Sequence, residues 1–403
     1  MDAGRNVLAL PEFRRLWLVG LAVSVARWLE MLVVGVVVFQ ATGSALLVAA
    51  MTLLRLAPMG LFGMLVAVLA ERLPRRISLR FILALQATAV GTMAVLAAMD
   101  ALEVWQVAVA CFVGGLGWAT DNPVRRMMVG EAVGAARMGP AMSLDVLGNN
   151  ASRVSGPALG GALLAAFGPH AAFCLSLLLY LVAIAIAWRI GVGATVGESR
   201  GEPILRGMRD SVGLAARNER LRAVLVVTVV FNLFAWPCTS MIPVIGQAGL
   251  GLGASAIGVL ASMEGVGALA GAALIGALAR PGIYPAIYVA GTALYLAAMV
   301  AFALAPGAVP AGAALLVSGI AGAGFATMQA TLSYLAVPPE ARGRALGALS
   351  TAIGTGPLGF LQIGLLAEWL GAGPATVLVG LQGLLALALT WPLWRVVFTE
   401  ARA

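Results

Sequence analysis

Charged residues are scarce in this chain, and lysine is missing altogether. Asp, Glu, Lys and Arg together make up 10% of its 403 residues, and all 25 basic residues are arginine. A soluble domain carries roughly 25% charged residues, so water is not the main solvent of this protein. The scarcity of charge therefore excludes an ordinary soluble globular domain.

Histidine and cysteine are also nearly absent. The one histidine, His170, stands between two apolar runs, and the three cysteines, Cys111, Cys174 and Cys238, lie far apart inside apolar stretches. Metal sites need several such residues at short spacings, and a disulfide framework needs paired cysteines. The sequence therefore predicts no metal centre, no disulfide framework and no cofactor. Without a His/Cys/Asp cluster or a nucleotide-binding loop, it also predicts that the protein is not an enzyme.

Apolar sequence makes up most of the chain. Hydrophobic residues account for 61% of it, and the mean hydropathy is +1.00. Unbroken apolar runs such as 29–39 and 173–187 contradict the alternating pattern of a membrane β-strand, and the α-helix is the other structure that satisfies its backbone in lipid. At roughly 20 residues per span, the chain is predicted to be an all-α membrane protein of about twelve helices. They are expected near residues 14–40, 45–70, 78–99, 102–125, 139–167, 170–190, 220–246, 254–279, 284–305, 309–336, 343–369 and 373–397.

The arginines lie in alternate loops between the apolar runs. They precede the first span, follow the second, fourth and tenth, and fill the central segment, whereas loops 100–103 and 168–170 carry none. Because basic loops stay in the cytoplasm, both termini and the central segment are predicted to be cytoplasmic in a bacterial inner membrane. The net charge of +8 then reflects membrane topology and lipid contact, and no nucleic-acid partner is expected.

The two halves of the chain repeat one another. Short motifs recur in order at an offset of roughly 200 residues: 115–120 matches 322–327, Gly156-Pro157 matches Gly356-Pro357, Gly168-Pro169 matches Gly373-Pro374, and 12–15 matches 219–222. The repeat predicts an N-terminal six-helix bundle over 1–190, a cytoplasmic linker over 191–217 and a C-terminal six-helix bundle over 218–403. This plan resembles the major facilitator superfamily of transporters, whose substrate site lies near the bilayer midplane.

A motif typical of a gate stands between the second and third spans. The segment 63–76 resembles the cytoplasmic-gate signature of that superfamily, G-x3-D-R-x-G-R-R, with glutamate in place of the aspartate, Ala67 in place of the first glycine and Pro74 in place of the second. An acid at a helix end and a following basic cluster lock neighbouring helices through charge and helix-dipole contacts. The alternative is that these arginines only fix the topology. The predicted gate residues are Glu71, Arg72, Arg75 and Arg76, joined by Asp121 and Arg125, which lie one helical turn apart.

The fifth span carries a second family motif, Gly156-Pro157-Ala158-Leu159-Gly160-Gly161. It resembles the GPxxGG motif of drug:proton antiporters, in which proline kinks the helix and the glycines admit a close neighbour. The segments 121–126 and 141–153, with 13–17 and 42–44, resemble the branch that contains the enterobactin exporter. The resemblance implies proton-coupled export of a small amphiphile. One departure is that the fourth span lacks the midplane arginine of the R-x-x-Q-G motif, on which the usual proton relay depends.

Several ionisable residues fall inside the predicted spans. A charge there costs roughly 2.5–3.5 kcal/mol on insertion scales and is a functional candidate. Arg27 and Glu30 share a helix face, a spacing that permits a pair, whereas Glu264 has no local partner in sequence. The predicted substrate and proton pathway consists of Arg27, Glu30, Arg55, Asp145, Asn149, Arg153, Asn232, Trp236, Glu264, Gln329 and Gln362. The alternative is that the charges form structural ion pairs.

These residues lead to a first hypothesis and two alternatives. The first is a proton-driven exporter of a drug-like or siderophore-like molecule, working by alternating access as a monomer. An excess of arginine near the midplane favours a substrate of anionic or phenolic character, and Glu30 or Glu264 is expected to carry the proton. The alternatives are a lysophospholipid or lipid flippase of the same fold, and a membrane scaffold that transports nothing.

Overall fold

The structure is a computed structural model of the chain. It describes residues 7–72, 74–134, 137–193, 213–214, 216–338 and 341–398, apart from the side chains of 60–72 and 343. Across these residues the chain is helical and contains no strand. The predicted all-α membrane fold is thereby confirmed.

Twelve long helices follow one another in the described residues. The first six are α1 (Pro11–Thr42), α2 (Ala45–Arg72), α3 (Arg75–Ala98), α4 (Val104–Val133), α5 (Met138–Phe167) and α6 (Pro169–Ala187). The last six are α7 (Glu219–Gly249), α8 (Ala254–Leu278), α9 (Tyr284–Ala303), α10 (Ala308–Leu335), α11 (Arg342–Ile353 and Gly356–Leu370) and α12 (Ala372–Leu389). Nine of these described segments are long and apolar enough to cross a membrane.

Proline and glycine account for the places where the helices depart from the predicted ones. The span predicted over 373–397 is wrong at its end, because α12 stops at Leu389 and Pro392 starts a separate turn, Trp391–Trp394. A proline lacks the N–H that would continue the ladder. The break inside α11 has the same cause, since Pro357 lies in the first turn of its second part.

The turns that follow α5 and α11 are built alike. Each helix ends at a glycine in the left-handed region, Gly168 with φ +84° and Gly371 with φ +87°, where a residue without Cβ is free of strain. The sequence repeat paired Gly168 with Gly373 instead. The turn-forming residue of the second half is therefore two positions earlier than the motif indicated.

α7 is the least regular of the long helices. It runs as an α-helix to Val230, widens into a π turn over Phe231–Ala235, tightens over Trp236–Met241, and widens again over Ile245–Gly249. Pro237 and Pro243 lie in the irregular part. Widened turns of this kind recur at functional sites, so the backbone of α7 alone marks this helix as a candidate part of the functional site.

The chain divides into two compact units. The first comprises residues 1–41, 54–200 and 253–262, and the second comprises 42–53, 201–252 and 263–403. The start of α2 thus belongs with the second unit, and the start of α8 belongs with the first. The predicted linker over 191–217 falls largely outside the described residues.

Candidate functional site: buried polar clusters on the membrane helices

The first unit buries an ion pair between α1 and α2. Arg55 donates two hydrogen bonds to Glu30 Oε2, at 3.3 and 3.2 Å, and Ser176 of α6 donates to Glu30 Oε1. Glu30 and Arg55 are 3% and 5% exposed. Because both carboxylate oxygens and the guanidinium are engaged, the pair is a closed, charge-assisted unit.

Arg27 pairs with Asp121 of α4, although its spacing from Glu30 also permitted a pair on α1. Its Nη2 lies 3.6 Å from Asp121 Oδ2, and its guanidinium lies over the ring of Trp118 at 4.9 Å. A shared helix face makes a pair possible, but the neighbouring helices offer Arg27 and Glu30 other partners. Asp121 also pairs with Arg125 at 3.7 Å, as the i, i+4 spacing predicted.

The ion pairs that link Arg27, Asp121 and Arg125 continue from α4 to α5. Arg125 donates to Asp145 Oδ1, and the more exposed Arg126 lies 3.6 Å from the other oxygen of Asp145. An added Cβ at Gly20 would lie 2.5 Å from the Arg125 guanidinium, so only glycine on α1 leaves room for it. Among the side chains that the structure describes in this unit, three buried arginines and three buried acids balance one another: Arg27, Arg55, Arg125, Glu30, Asp121 and Asp145.

Two more predicted pathway residues lie on α5. Arg153 is half-buried and lies over the Trp28 ring at 4.8 Å, a cation–π geometry. Asn149 is half-buried one turn earlier. Arg153 and Asn149 therefore lie on the same helix as Asp145, which pairs with Arg125 and Arg126.

The GPxxGG motif places α5 between two neighbours. An added Cβ at Gly156 would lie 2.7 Å from Trp28 Cβ on α1, and one at Gly160 would lie 3.1 Å from the Val33 side chain. Gly161 meets the start of α8 instead, where its Cβ would lie 2.5 Å from Ala254 O and 2.8 Å from Gly258 Cα. The motif therefore holds α1 on one face and the first turns of α8 on the other.

The second unit buries a carboxylate of its own, Glu264 of α8. It is 8% exposed, and the Tyr295 hydroxyl of α9 donates to its Oε1 at 3.1 Å. The backbone of α8 at Glu264 touches α10 so closely that a Cβ on Gly319 would overlap Glu264 O. The same arrangement recurs in the first unit, where a Cβ on Gly115 of α4 would overlap Arg55 O.

Sequence reasoning missed an aromatic cluster around this carboxylate. Phe231 stacks on Phe325 with ring centroids 3.7 Å apart and lies 4.9 Å from Tyr295, and Tyr288 stacks on Phe325 at 5.3 Å. Aromatic residues in apolar runs normally signal packing. The irregular backbone of α7 at Phe231 is the structural signal that distinguishes this group.

Three of the four remaining predicted pathway residues lie on α7 or bond to it. Asn232 donates to Thr228 O at 2.9 Å, and Gln329 donates to Thr228 Oγ1 at 3.2 Å. Trp236 packs edge-on against Phe360. Gln362 lies apart from these residues and donates to Gln382 at 2.7 Å.

Four of the six predicted gate residues have described side chains: Arg75, Arg76, Asp121 and Arg125. Arg75 pairs with Glu131 at the end of α4, whose other oxygen accepts a bond from Gly193 N at 2.8 Å. Arg76 donates its backbone N–H to Gly193 O. The side chains of Glu71 and Arg72 lie outside the described residues.

Comparisons with known proteins agree on the class. The family model described as MFS_3, transmembrane secretion effector, matches residues 6–403. The uncharacterized MFS-type transporter YfiS of Bacillus subtilis (strain 168) is 24% identical over 376 residues, which cover 89% of this chain and 87% of that protein.

Solved transporters share the fold at low identity. A bacterial homologue of the human lysosomal transporter Spinster matches with a TM-score of 0.68 at 16% identity, covering 100% of this chain and 98% of that one. A POT family transporter in complex with 5-aminolevulinic acid gives 0.77 at 11%, covering 96% of each chain, and a mutant of the nucleoside transporter NupG gives 0.76 at 10%, covering 95% and 99%. The protein therefore belongs to the MFS_3 family of transmembrane secretion effectors, and is a multi-pass membrane transporter of the major facilitator type rather than an enzyme.

Proposed function

We propose that this transporter exports small organic amphiphiles across the bacterial cytoplasmic membrane, driven by protons that enter in exchange. It works by alternating access as a monomer, with both termini in the cytoplasm. The expected substrates resemble drugs or siderophores. Glu264 is the residue to which we assign the transported proton, with Glu30 as the next candidate.

The observation that carries this proposal is the buried carboxyl group of Glu264 inside a membrane helix. Ionisable residues at this depth are costly and mark ion and proton pathways. Glu30 is also buried within a membrane helix, but Arg55 holds it with two charge-assisted bonds. Protonating Glu30 would leave the buried arginine without its counter-charge, which is strongly unfavourable. The Tyr295 hydroxyl donates to Glu264 Oε1, and that carboxyl oxygen accepts the bond whether the group is charged or neutral.

The direction of transport rests on two further observations. The matching family is described as secretion effectors, and the GPxxGG motif resembles that of drug:proton antiporters. In this chain the motif packs against α1 and α8 through contacts that tolerate no side chain. A helix interface of this kind favours a coupled, two-state movement over a simple pore.

Transport into inside-out membrane vesicles tests the proposal. Vesicles carrying the wild-type protein are energised to acidify their interior, and uptake is followed for ethidium, a cationic probe, and 2,3-dihydroxybenzoate, an anionic phenolic probe. We expect uptake of at least one probe, with dissipation of the pH gradient on probe addition. Uptake should stop when a protonophore collapses the gradient.

Two outcomes oppose the proposal. Uptake that survives the protonophore would contradict proton coupling. The Glu264→Gln variant, assayed in the same vesicles, tests whether Glu264 carries the proton. Scrambling of a fluorescent lysophospholipid in protein liposomes, without uptake of either probe, would favour the flippase alternative instead.

A further inference from the structure

We propose that Tyr295 is a positioning residue for the Glu264 carboxyl group, donating the same hydrogen bond while that group is charged and while it is neutral. This inference rests on the proposed function, in which Glu264 carries the proton. Its basis is the hydrogen bond from the Tyr295 hydroxyl to Glu264 Oε1, 3.1 Å long and buried. Tyr295 itself is 2% exposed.

The tyrosine ring lies in a space that α10 provides. An added Cβ at Gly322 would lie 3.2 Å from the ring edge of Tyr295, so glycine at this position gives the ring its room. Phe231 of α7 closes the other side, with its ring centroid 4.9 Å from that of Tyr295. Since Gly319 lets α8 approach α10 at Glu264 itself, α10 sets the positions of both bonding partners.

The internal repeat places different chemistry at the corresponding positions of the first half. Glu264 and Tyr295 lie 209 positions after Arg55 and Gln86, respectively. Gln86 also lies against a glycine of the following helix, since a Cβ on Gly117 of α4 would overlap its side chain. The first half thus has a permanently charged arginine and an amide at the positions where the second half has a titratable acid and its hydroxyl donor.

A hydroxyl donor suits a group that must gain and lose a proton. The Tyr295 O–H donates to Oε1 when the carboxylate is charged, and the carbonyl oxygen of the neutral acid accepts the same bond. The proton comes from water on one side of the membrane and returns to water on the other, so the tyrosine gives up none of its own. Because bonds to charged acceptors are the stronger ones, losing this donor opposes release of the proton.

Infrared difference spectroscopy of the purified protein tests the contact without any substrate. Spectra recorded across a pH titration show the C=O stretch of each carboxyl group that becomes protonated, and a hydrogen bond to the C=O lowers its frequency. Glu264→Gln should remove one such band. In Tyr295→Phe the band should remain and move to higher frequency, and gradient-driven probe uptake should fall about tenfold. Exchange of probe at equal pH should be retained.

Tyr288→Phe is the matched control, because it removes a buried hydroxyl from the same helix and aromatic cluster. That hydroxyl bonds to Thr228 and Val224 O, so the Glu264 band should not move. Gly322→Ala provides a second variant that keeps the hydroxyl but crowds its ring, and should also shift or split the band. An unchanged band in both Tyr295→Phe and Gly322→Ala would overturn the inference and leave the proposed function standing. If Glu264→Gln removes no titrating band, the assignment of the proton to Glu264 fails.

Discussion

Buried charges in the first unit lie in contact with opposite charges, and their stability depends on complete pairs. Replacing a whole buried pair by apolar residues is often neutral, whereas removing one partner strands the other in a poorly solvating environment. Arg55 and Glu30 are the clearest instance, since both are nearly inaccessible and bond directly. The exposed pair Glu219–Arg222, 3.6 Å apart, lies at the opposite extreme, where water screens the interaction.

Glu30→Gln should lower the free energy of unfolding by about 3–5 kcal/mol. The variant keeps the shape of the side chain but leaves the Arg55 charge buried and uncompensated. Unfolding of the purified protein in mixed micelles measures the change. Glu219→Gln is the control and should differ from wild type by less than about 1 kcal/mol. Equal effects of the two substitutions would contradict the account.

At this scale the sequence predicted which charged residues are buried better than which residues they contact. The depth of Arg27, Glu30, Arg55 and Glu264 follows from their positions in apolar runs, and each is buried in the structure. Partner choice depends on how neighbouring helices are rotated and spaced, which local spacing does not contain. Tyr295 was missed for a related reason, since a tyrosine in an apolar run has the same signature whether it packs or donates.

Glycine contacts on α5 and α11 form two equivalent sets. Gly156 and Gly160 meet α1, and the corresponding Gly356 and Gly359 meet α7. The next glycine in each set meets another helix near its start, α8 for Gly161 and α2 for Gly364. The repeated Gly-Pro motifs therefore describe one packing device used in both halves, of which the sequence revealed the motif but not the neighbours.

Gly161→Ala should destabilise the folded state by about 1–3 kcal/mol, because the new methyl group enters the space of the α8 backbone. Gly139→Ala on the same helix is the control, since nothing lies within 4 Å of its Cβ position. Gly139 lies in the first turn of α5, so this variant shows the effect of an added methyl group on the same helix where no neighbour meets it. Thermal unfolding in detergent measures it, and a Gly161→Ala protein as stable as Gly139→Ala would refute the contact.

The start of α2 is held by a carboxylate from α11. Glu368 Oε2 accepts from Ser44 Oγ at 2.8 Å and from Leu46 N at 3.3 Å, so it satisfies a free N–H at the positive end of a helix. Glu368→Ala should cost about 0.5–2 kcal/mol. Glu368→Gln keeps an acceptor and loses the charge, and should cost less. Hydrogen exchange of the Leu46 amide checks this directly, and unchanged protection in Glu368→Ala would contradict it.

Helix boundaries were predicted less well than helix existence. Runs of apolar residues and their Gly, Pro and Arg boundaries predicted a helix for each of the twelve long helices among the described residues, nine of which are long and apolar enough to cross a membrane. The break before Pro357 arises because proline has no N–H to donate to the helix. The mean hydropathy of a window of residues does not register the loss of one hydrogen bond. The π turn at Phe231 has no sequence signal of its own.

The orientation of the whole molecule is a prediction from the arginine distribution. In a variant without its native cysteines, Gly201→Cys in the linker should react with a membrane-impermeant maleimide only after the cytoplasmic face is opened. Asp100→Cys lies in loop 100–103, which carries no arginine, and should react with the same reagent in intact cells. Labelling of Gly201→Cys from outside would reverse the topology and with it the direction of transport proposed above.

At the scale of the whole molecule, the proposed function requires that Glu264 link proton movement to substrate movement. The most direct measurement compares wild type with Glu264→Gln in liposomes, using whichever of the two probes the wild type exports. Gradient-driven accumulation should be lost in Glu264→Gln, while probe exchange at equal pH, which needs no net proton movement, should persist. Glu219→Gln, which removes an exposed acid, should behave as wild type in both assays. Accumulation by Glu264→Gln at the wild-type rate under a pH gradient would contradict the account, and Glu30 would then be tested in its place.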